Sequence, residues 1–290
     1  MCWITLAGEI RAIVVAPRDN YELGMPPEAA EIRYGRENAD FIRSVICEKY
    51  PVDTSRIYAV GFSIGGFTVA ETAAADPGLF AAVACEAYPA DGYMEIFPYN
   101  EYGGDADAEA YDLPVVYHAG TSDRGNSMVN PADAEAARVL SAQLMFNQIL
   151  TFNDMTDQLI DLVDFDYDLY PGEGDARTDR DTGEVTGGYD DWDGTAAQYI
   201  CQNLDFDACP YYGYDFAAIP NTARVEASTP EGIEYTENFW YNEAGHPMLL
   251  HMVMGDMGHN HYTRYAQIIW DELFCHYTRN AETGELNYTE

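Results

Sequence analysis

The chain has few basic residues: Lys and Arg number 14 against 50 Asp and Glu, which gives 290 residues a formal net charge of -36. A surface of that sign repels phosphate backbones and anionic lipids. We therefore expect neither a nucleic-acid-binding protein nor a membrane-surface protein. The simplest interpretation of the charge is solubility, in a salty or an extracellular setting.

Long hydrophobic runs are also missing, although 47 % of the residues are apolar. No stretch approaches the roughly 20 apolar residues of a transmembrane helix, so we expect no membrane span. The segment from Met1 to Ala7 is too short for a signal peptide and lacks its basic start. Length and apolar content suit one sizeable domain or two small ones.

Paired cysteine motifs are absent too. None of the six cysteines forms a CxxC pair or shows zinc-like spacing. Cys47 and Cys85 lie in apolar runs, which predicts buried thiols. Cys201 and Cys209 are close enough in sequence to pair, and the sequence leaves that question open. We expect no metal site built from cysteine.

Short apolar runs alternate with helical patterns through most of the chain. This alternation predicts an α/β fold, a mostly parallel sheet with helices on both faces. Predicted strands cover residues 11–17, 57–61, 80–85, 113–118 and 248–254, and predicted helices cover 37–50, 65–75, a segment from Asn130, and one marked by Tyr265, Ile269 and Leu273.

The alternation breaks between about Thr151 and Gly245, a stretch rich in Asp, Tyr and Gly. It is too long for an ordinary loop. We interpret residues 151–221 as an acidic, aromatic-rich insertion within a single domain of residues 1–290, with strand pairing further on, from Gly232 to Tyr241. Its aromatic residues either stack on sugar or phenolic rings or, more simply, pack onto the core.

Four acidic residues of this insertion are oxygen donors of the kind that calcium prefers. Their spacing does not match an EF-hand loop, so a solvated acidic turn is the simpler interpretation and we predict no metal and no cofactor. The four residues are Asp175, Asp179, Asp181 and Glu184.

The motif that indicates chemistry is Gly61-Phe-Ser63-Ile-Gly65, which fits G-x-S-x-G between a predicted strand and a predicted helix. The tight turn of this motif presents Ser63 as a nucleophile, and both glycines are expected to avoid clashes that a Cβ would cause. The backbone N–H of Ile64 then faces the site and is expected to contribute to an oxyanion hole.

A nucleophilic serine needs a base and an acid that orients the base, and the chain order in this motif's fold is Ser, Asp or Glu, then His. Asp123 follows the predicted strand 113–118 and is the expected acid, with Asp133 as a weaker candidate. His259 follows the last predicted strand and is the expected base, with His261 as the fallback. The other histidines are expected to be structural: His118, His246, His251 and His276.

Four segments together resemble the secreted polyhydroxybutyrate-depolymerase-like and feruloyl or acetyl-xylan esterases, a family of α/β-hydrolases. They are Val52 to Gly66 (VDTSRIYAVGFSIGG), Asp76 to Val83 (DPGLFAAV), Leu113 to Asp123 (LPVVYHAGTSD) and Gly255 to His259 (GDMGH). The resemblance covers residues 3–150 and 222–278. It implies a Ser63–His259–Asp123 triad, no cofactor, and secretion.

One departure from that family concerns the oxyanion hole. Family members have an early strand that ends in a His-Gly type loop and donates the second oxyanion N–H, and no such loop precedes Ser63. The missing strand normally lies between those that correspond to residues 11–17 and 57–61. The resemblance therefore implies a domain without its N-terminal strands and with half of its oxyanion hole.

These observations predict a serine carboxylic-ester hydrolase acting on acyl, acetyl or feruloyl esters, including those of polysaccharides or polyesters. Two alternatives stay open. One is a serine peptidase of the prolyl-oligopeptidase type, which shares the serine motif and the chain order. The other is a non-catalytic, carbohydrate-associated protein that keeps the fold.

Overall fold

The computed structural model describes residues 3–16, 35, 37–87, 112–120, 146, 149–159, 177–178, 185–186 and 221–290. The strands within these ranges are β1 (Tyr58–Phe62), β2 (Ala82–Glu86), β3 (Val115–Gly120), β4 (Arg177–Thr178), β5 (Val185–Thr186), β6 (Ala223–Ser228), β7 (Glu234–Tyr241), β8 (Pro247–Met254), β9 (Tyr277–Arg279) and β10 (Leu286–Tyr288). The helices are α1 (Trp3–Ile10), α2 (the π-helical turn Ile42–Ile46 continued by Cys47–Lys49), α3 (Ile64–Ala75) and α4 (Tyr265–Glu272). Short 3₁₀ turns cover Pro77–Leu79, Thr156–Gln158 and Phe274–His276.

Six of the strands in these ranges form one sheet, the main sheet, in the order β1-β2-β3-β8-β7-β6. The pairs β1–β2, β2–β3 and β3–β8 are parallel, whereas β7 and β6 are added in antiparallel fashion. Every residue of β2 and β8 is buried, as expected for inner strands that are covered on both faces. The prediction of an α/β chain with a mostly parallel sheet is therefore confirmed.

Helices pack against both faces of this sheet. Glu86 and His118 are cross-strand partners and share one face, where they contact Trp3 of α1 and Tyr265 of α4 respectively. On the opposite face, the cross-strand partners Tyr117 and His251 both pack against the ring of Phe146. The large apolar cluster formed by the two faces and their helices is the core of the protein.

The predicted strand over residues 11–17 is wrong for the part that the structure describes. Arg11 has a left-handed φ of 59°, and the N–H of Ala12 bonds to the Ala7 carbonyl, so this turn ends α1. The apolar side chains that follow are exposed to 52 %, 48 % and 40 % at Ile13, Val14 and Val15. A β-branched run forms a strand only beside a partner, and β1 is the last strand of the described sheet on this side.

The strand pairing expected from Gly232 to Tyr241 is confirmed, and it belongs to the main sheet, because β7 pairs with both β6 and β8. Phe152 and Met155 are buried in the core. Further along, β4 and β5 form a small antiparallel hairpin. The rest of residues 160–220 lies outside the described residues, so the insertion over 151–221 stays a prediction.

A buried arginine, Arg279, forms hydrogen bonds at the amino-terminal ends of the parallel strands. Arg279 donates side-chain hydrogen bonds to the carbonyls of Phe80, Asp112 and Gly284, and its backbone N–H bonds to Ser55. The first two carbonyls lie shortly before β2 and β3. The Arg279 guanidinium thus hydrogen-bonds three backbone carbonyls from separate segments. These bonds stabilise the fold, because a buried carbonyl without a hydrogen-bond partner destabilises a protein.

Two sequence-based expectations about single features have clear outcomes. Cys85 is buried, and burial raises the pKa of its thiol to about 12, so the prediction of a buried thiol is confirmed for Cys85. Cys47 is partly exposed on α2, so the same prediction is wrong for Cys47. Cys201 and Cys209 lie outside the described residues. Within the described ranges, no helix is both long and apolar enough to cross a bilayer.

Candidate active site

Ser63 lies on a sharp turn between β1 and α3. Its backbone has φ 57° and ψ -124°, a combination that is strained for a residue with a side chain. Two backbone hydrogen bonds of 2.8 Å hold the turn, one from the Ser63 N–H to the Glu86 carbonyl and one from the Gly66 N–H to the Ser63 carbonyl. The turn therefore fixes Ser63 at the carboxyl end of β1, where ligands bind in open α/β sheets.

The two glycines of the motif have different roles. A Cβ on Gly61 would lie 1.9 Å from the Gly65 carbonyl oxygen and 2.7 Å from the Gly66 nitrogen, so Gly61 is required by the close approach of α3 to β1. A Cβ on Gly65 would meet no atom within 4 Å. The prediction that a Cβ would clash is therefore confirmed for Gly61. It is wrong for Gly65, whose backbone carbonyl contacts Gly61 but whose own Cβ position is open.

The structure brings Ser63 and His259 together. His259 Nε2 lies 2.8 Å from Ser63 Oγ, although the two residues are 196 positions apart in sequence. His259 belongs to the loop between β8 and α4, and its ring packs beside that of Phe62, with centroids 5.0 Å apart. With the Nδ1–H tautomer of His259, the Ser63 hydroxyl donates to Nε2, which is the arrangement that a general base requires.

Of the remaining predicted site residues, the structure describes Ile64 but not the two candidate acids. Ile64 is the first residue of α3, where backbone N–H groups have no partner inside the helix, as the oxyanion role requires. Asp123 and Asp133 lie outside the described residues. The end of β3 at Gly120 nevertheless closes tightly on the histidine-bearing loop, because a Cβ there would lie 2.2 Å from the Met257 carbonyl oxygen.

Four histidines are placed in structural roles. His118 and His251 are buried, and burial lowers the pKa of each to about 3, with nearby histidine charges adding to the effect at His118. Both are therefore neutral at ordinary pH. His246 stacks on Tyr288. Both ring nitrogens of His276 lie within 3.0 Å of backbone carbonyls.

A second polar pair lies beside the Ser63–His259 contact and was missed by the sequence analysis. The Glu86 carboxylate is fully buried at the end of β2, and its Oε2 lies 2.6 Å from Nδ1 of His261. The signal was present in the sequence, because a charged residue ends the apolar run from Phe80 to Cys85. A carboxylate directly after a buried parallel strand lies at the edge where α/β proteins carry their sites.

No cluster of His, Cys, Asp or Glu in the described ranges has the arrangement of a metal site. The acidic residues weighed as calcium ligands, Asp175, Asp179, Asp181 and Glu184, lie outside those ranges. The chemistry of the described site therefore consists of a hydroxyl, two imidazoles, a carboxylate and backbone N–H groups.

Comparison of the chain with known proteins does not assign it to a family. No protein-family model matches the chain, and no curated protein matches it at a significant level. The resemblance to polyhydroxybutyrate-depolymerase-like esterases stays a prediction that rests on the four sequence segments.

Proposed function

We propose that the chain is a serine hydrolase of the α/β-hydrolase type that cleaves carboxylic esters. The observation that carries the proposal is the 2.8 Å contact between His259 Nε2 and Ser63 Oγ, formed at a strained turn between a parallel strand and a helix. Nucleophile and base within hydrogen-bond reach are the signature of nucleophilic catalysis. The parallel direction of β1 and β8 supports the proposal, because Ser63 and His259 each follow the carboxyl end of one of these strands.

The proposed reaction proceeds in two halves. Ser63 Oγ attacks the acyl carbon while His259 Nε2 accepts its proton, and the Ile64 N–H stabilises the oxyanion that forms. The intermediate then expels the alcohol, which takes the proton back from His259, and leaves an acyl-enzyme. Water attacks this ester with His259 again as the base, which releases the acid and regenerates Ser63. In this proposal Asp123 orients His259.

The choice of esters over amides rests on the resemblance alone, as does secretion, which the acidic surface suits. Acetyl and feruloyl esters are the first substrates to test. A serine peptidase of the prolyl-oligopeptidase type would instead favour peptide amides. A carbohydrate-binding protein that keeps the fold without catalysis would show no reactive serine.

A fluorophosphonate probe tests the proposal directly, since it phosphonylates only an activated serine. We expect the wild-type chain to be labelled, Ser63→Ala to give no label, and His259→Gln to lower the labelling rate at least about 10³-fold. p-Nitrophenyl acetate and a peptide p-nitroanilide are then compared as substrates. A folded wild-type chain without label would refute the proposal, and faster cleavage of the anilide would favour the peptidase.

A further inference from the structure

The Glu86–His261 pair joins the sheet to the loop that carries the proposed base. Glu86 ends β2, and its two oxygens contact different segments: Trp3 Nε1 lies 3.4 Å from Oε1, and His261 Nδ1 lies 2.6 Å from Oε2. The backbone carbonyl of the same residue accepts the Ser63 N–H. Glu86 therefore touches both the turn that presents the nucleophile and the loop that presents the base.

The burial of Glu86 makes this contact strong. A carboxylate with no exposed surface is stable only when an opposite charge or several donors compensate it. The Trp3 contact is long for a hydrogen bond, so within the described residues the 2.6 Å contact to His261 is the strongest one that the Glu86 side chain makes. His118 and Tyr265 face the pair from β3 and α4, but they bond to each other, and burial keeps His118 neutral.

The loop is compact where the two histidines project from it. The Asn260 N–H bonds to the Gly258 carbonyl at 2.7 Å, so His259 is the central residue of a tight turn and His261 follows that turn directly. Both imidazoles pack on the ring of Phe62, with centroid distances of 5.0 Å and 6.1 Å. The contact of His261 with Glu86 consequently restrains the backbone segment that also carries His259.

We propose that Glu86 and His261 are a positioning pair whose 2.6 Å contact holds the adjoining turn at residues 258–260 so that His259 reaches Ser63. This inference rests on the proposed hydrolase function. The pair touches neither substrate nor the reacting atoms, and it acts through the placement of His259. Its loss should therefore lower the rate of the chemical step and leave substrate binding nearly unchanged.

The test compares Glu86→Gln, His261→Gln and the double variant for hydrolysis of p-nitrophenyl acetate. We expect each single variant to lower kcat about 10- to 100-fold with KM within about 2-fold of wild type. Since the two residues act through one contact, the double variant should lose no more than the worse single variant. A structural role alone would change stability without this pattern in kcat and KM.

Two matched controls use the same substitutions away from the site. Glu226→Gln changes a glutamate whose side chain is 81 % exposed on β6, and His246→Gln changes a histidine that stacks on Tyr288. Both should keep wild-type kcat. If Glu86→Gln does not fold, His261→Gln still decides the question, because that side chain is partly exposed on a loop.

The failures of the two proposals are distinguishable. If wild type and both controls neither hydrolyse the ester nor label with fluorophosphonate, the hydrolase function fails, and the positioning role fails with it. If wild type is active and His261→Gln keeps kcat within 2-fold, only the positioning role is overturned. Losses that multiply in the double variant would also overturn it, because they would show that the residues act independently.

Discussion

Gly61→Ala is the substitution whose effect follows most directly from the geometry of the turn. The added Cβ would lie 1.9 Å from the Gly65 carbonyl oxygen, whereas real contacts of this kind do not fall below 3.0 Å. The first turn of α3 must therefore move away from β1 by about 1 Å, and Ser63 moves with it. Overpacking of this kind costs about 1–3 kcal/mol of unfolding free energy, and a displacement of about 1 Å at a catalytic centre can cost about 10²-fold in rate.

Gly65→Ala is the matched control, because it adds the same methyl group four residues away, where no atom lies within 4 Å. Alanine favours a helix over glycine by about 1 kcal/mol, so this variant should melt about 2–4 °C above wild type. The assays are thermal unfolding and the rate of fluorophosphonate labelling. We expect Gly61→Ala to label about 100-fold more slowly and Gly65→Ala to label at the wild-type rate. Equal rates for the two variants would refute the reasoning.

Two further predictions concern the stability of the fold. Arg279→Met removes three hydrogen bonds from a buried guanidinium to backbone carbonyls and should lower the unfolding free energy, measured in urea, by about 3–5 kcal/mol. Arg279→Lys should restore only part of this loss, and a loss below about 1 kcal/mol in Arg279→Met would contradict the stabilising role of these hydrogen bonds. Burial and the charge of Glu272 raise the pKa of Glu237 from 4.5 to about 7. The folded chain therefore holds a proton that the unfolded chain releases, and stability falls as pH rises through this window. Glu237→Gln cannot release this proton, so its unfolding free energy minus that of wild type should be larger at pH 8 than at pH 5. The same difference at both pH values would contradict a raised pKa for Glu237.

The inner part of the sheet was the most predictable part of the fold. Buried parallel strands consist of continuous apolar runs, so β2 and β8 could be recognised from their residues alone. The run from Ile13 to Val15 has the same composition, yet it is exposed and forms no strand. Strand formation depends on a pairing partner, and local composition does not show whether one is present.

The site was predictable where the backbone imposes a motif. The G-x-S-x-G pattern fixed the position of Ser63 because only glycine at Gly61 allows the close approach of α3. His259 could be chosen by its place after the last predicted strand, and in the structure it follows the corresponding strand, β8. Glu86 could have been noticed as the charged residue that ends an apolar run, but its contact with His261 was not predictable, because it joins the end of β2 to a loop 175 residues later and no local pattern encodes such a contact.

The pairing of β3 with β8 has a consequence for how the protein is made. This ladder joins Val115 to Leu249, and the Ser63–His259 contact spans 196 residues. Contacts of such long range close large loops, form late and slow the folding of the whole chain. In the proposed hydrolase, Ser63 and its turn emerge during synthesis long before His259. The Ser63–His259 contact requires that β8 has paired with β3, so in that hydrolase the onset of fluorophosphonate labelling would report this pairing.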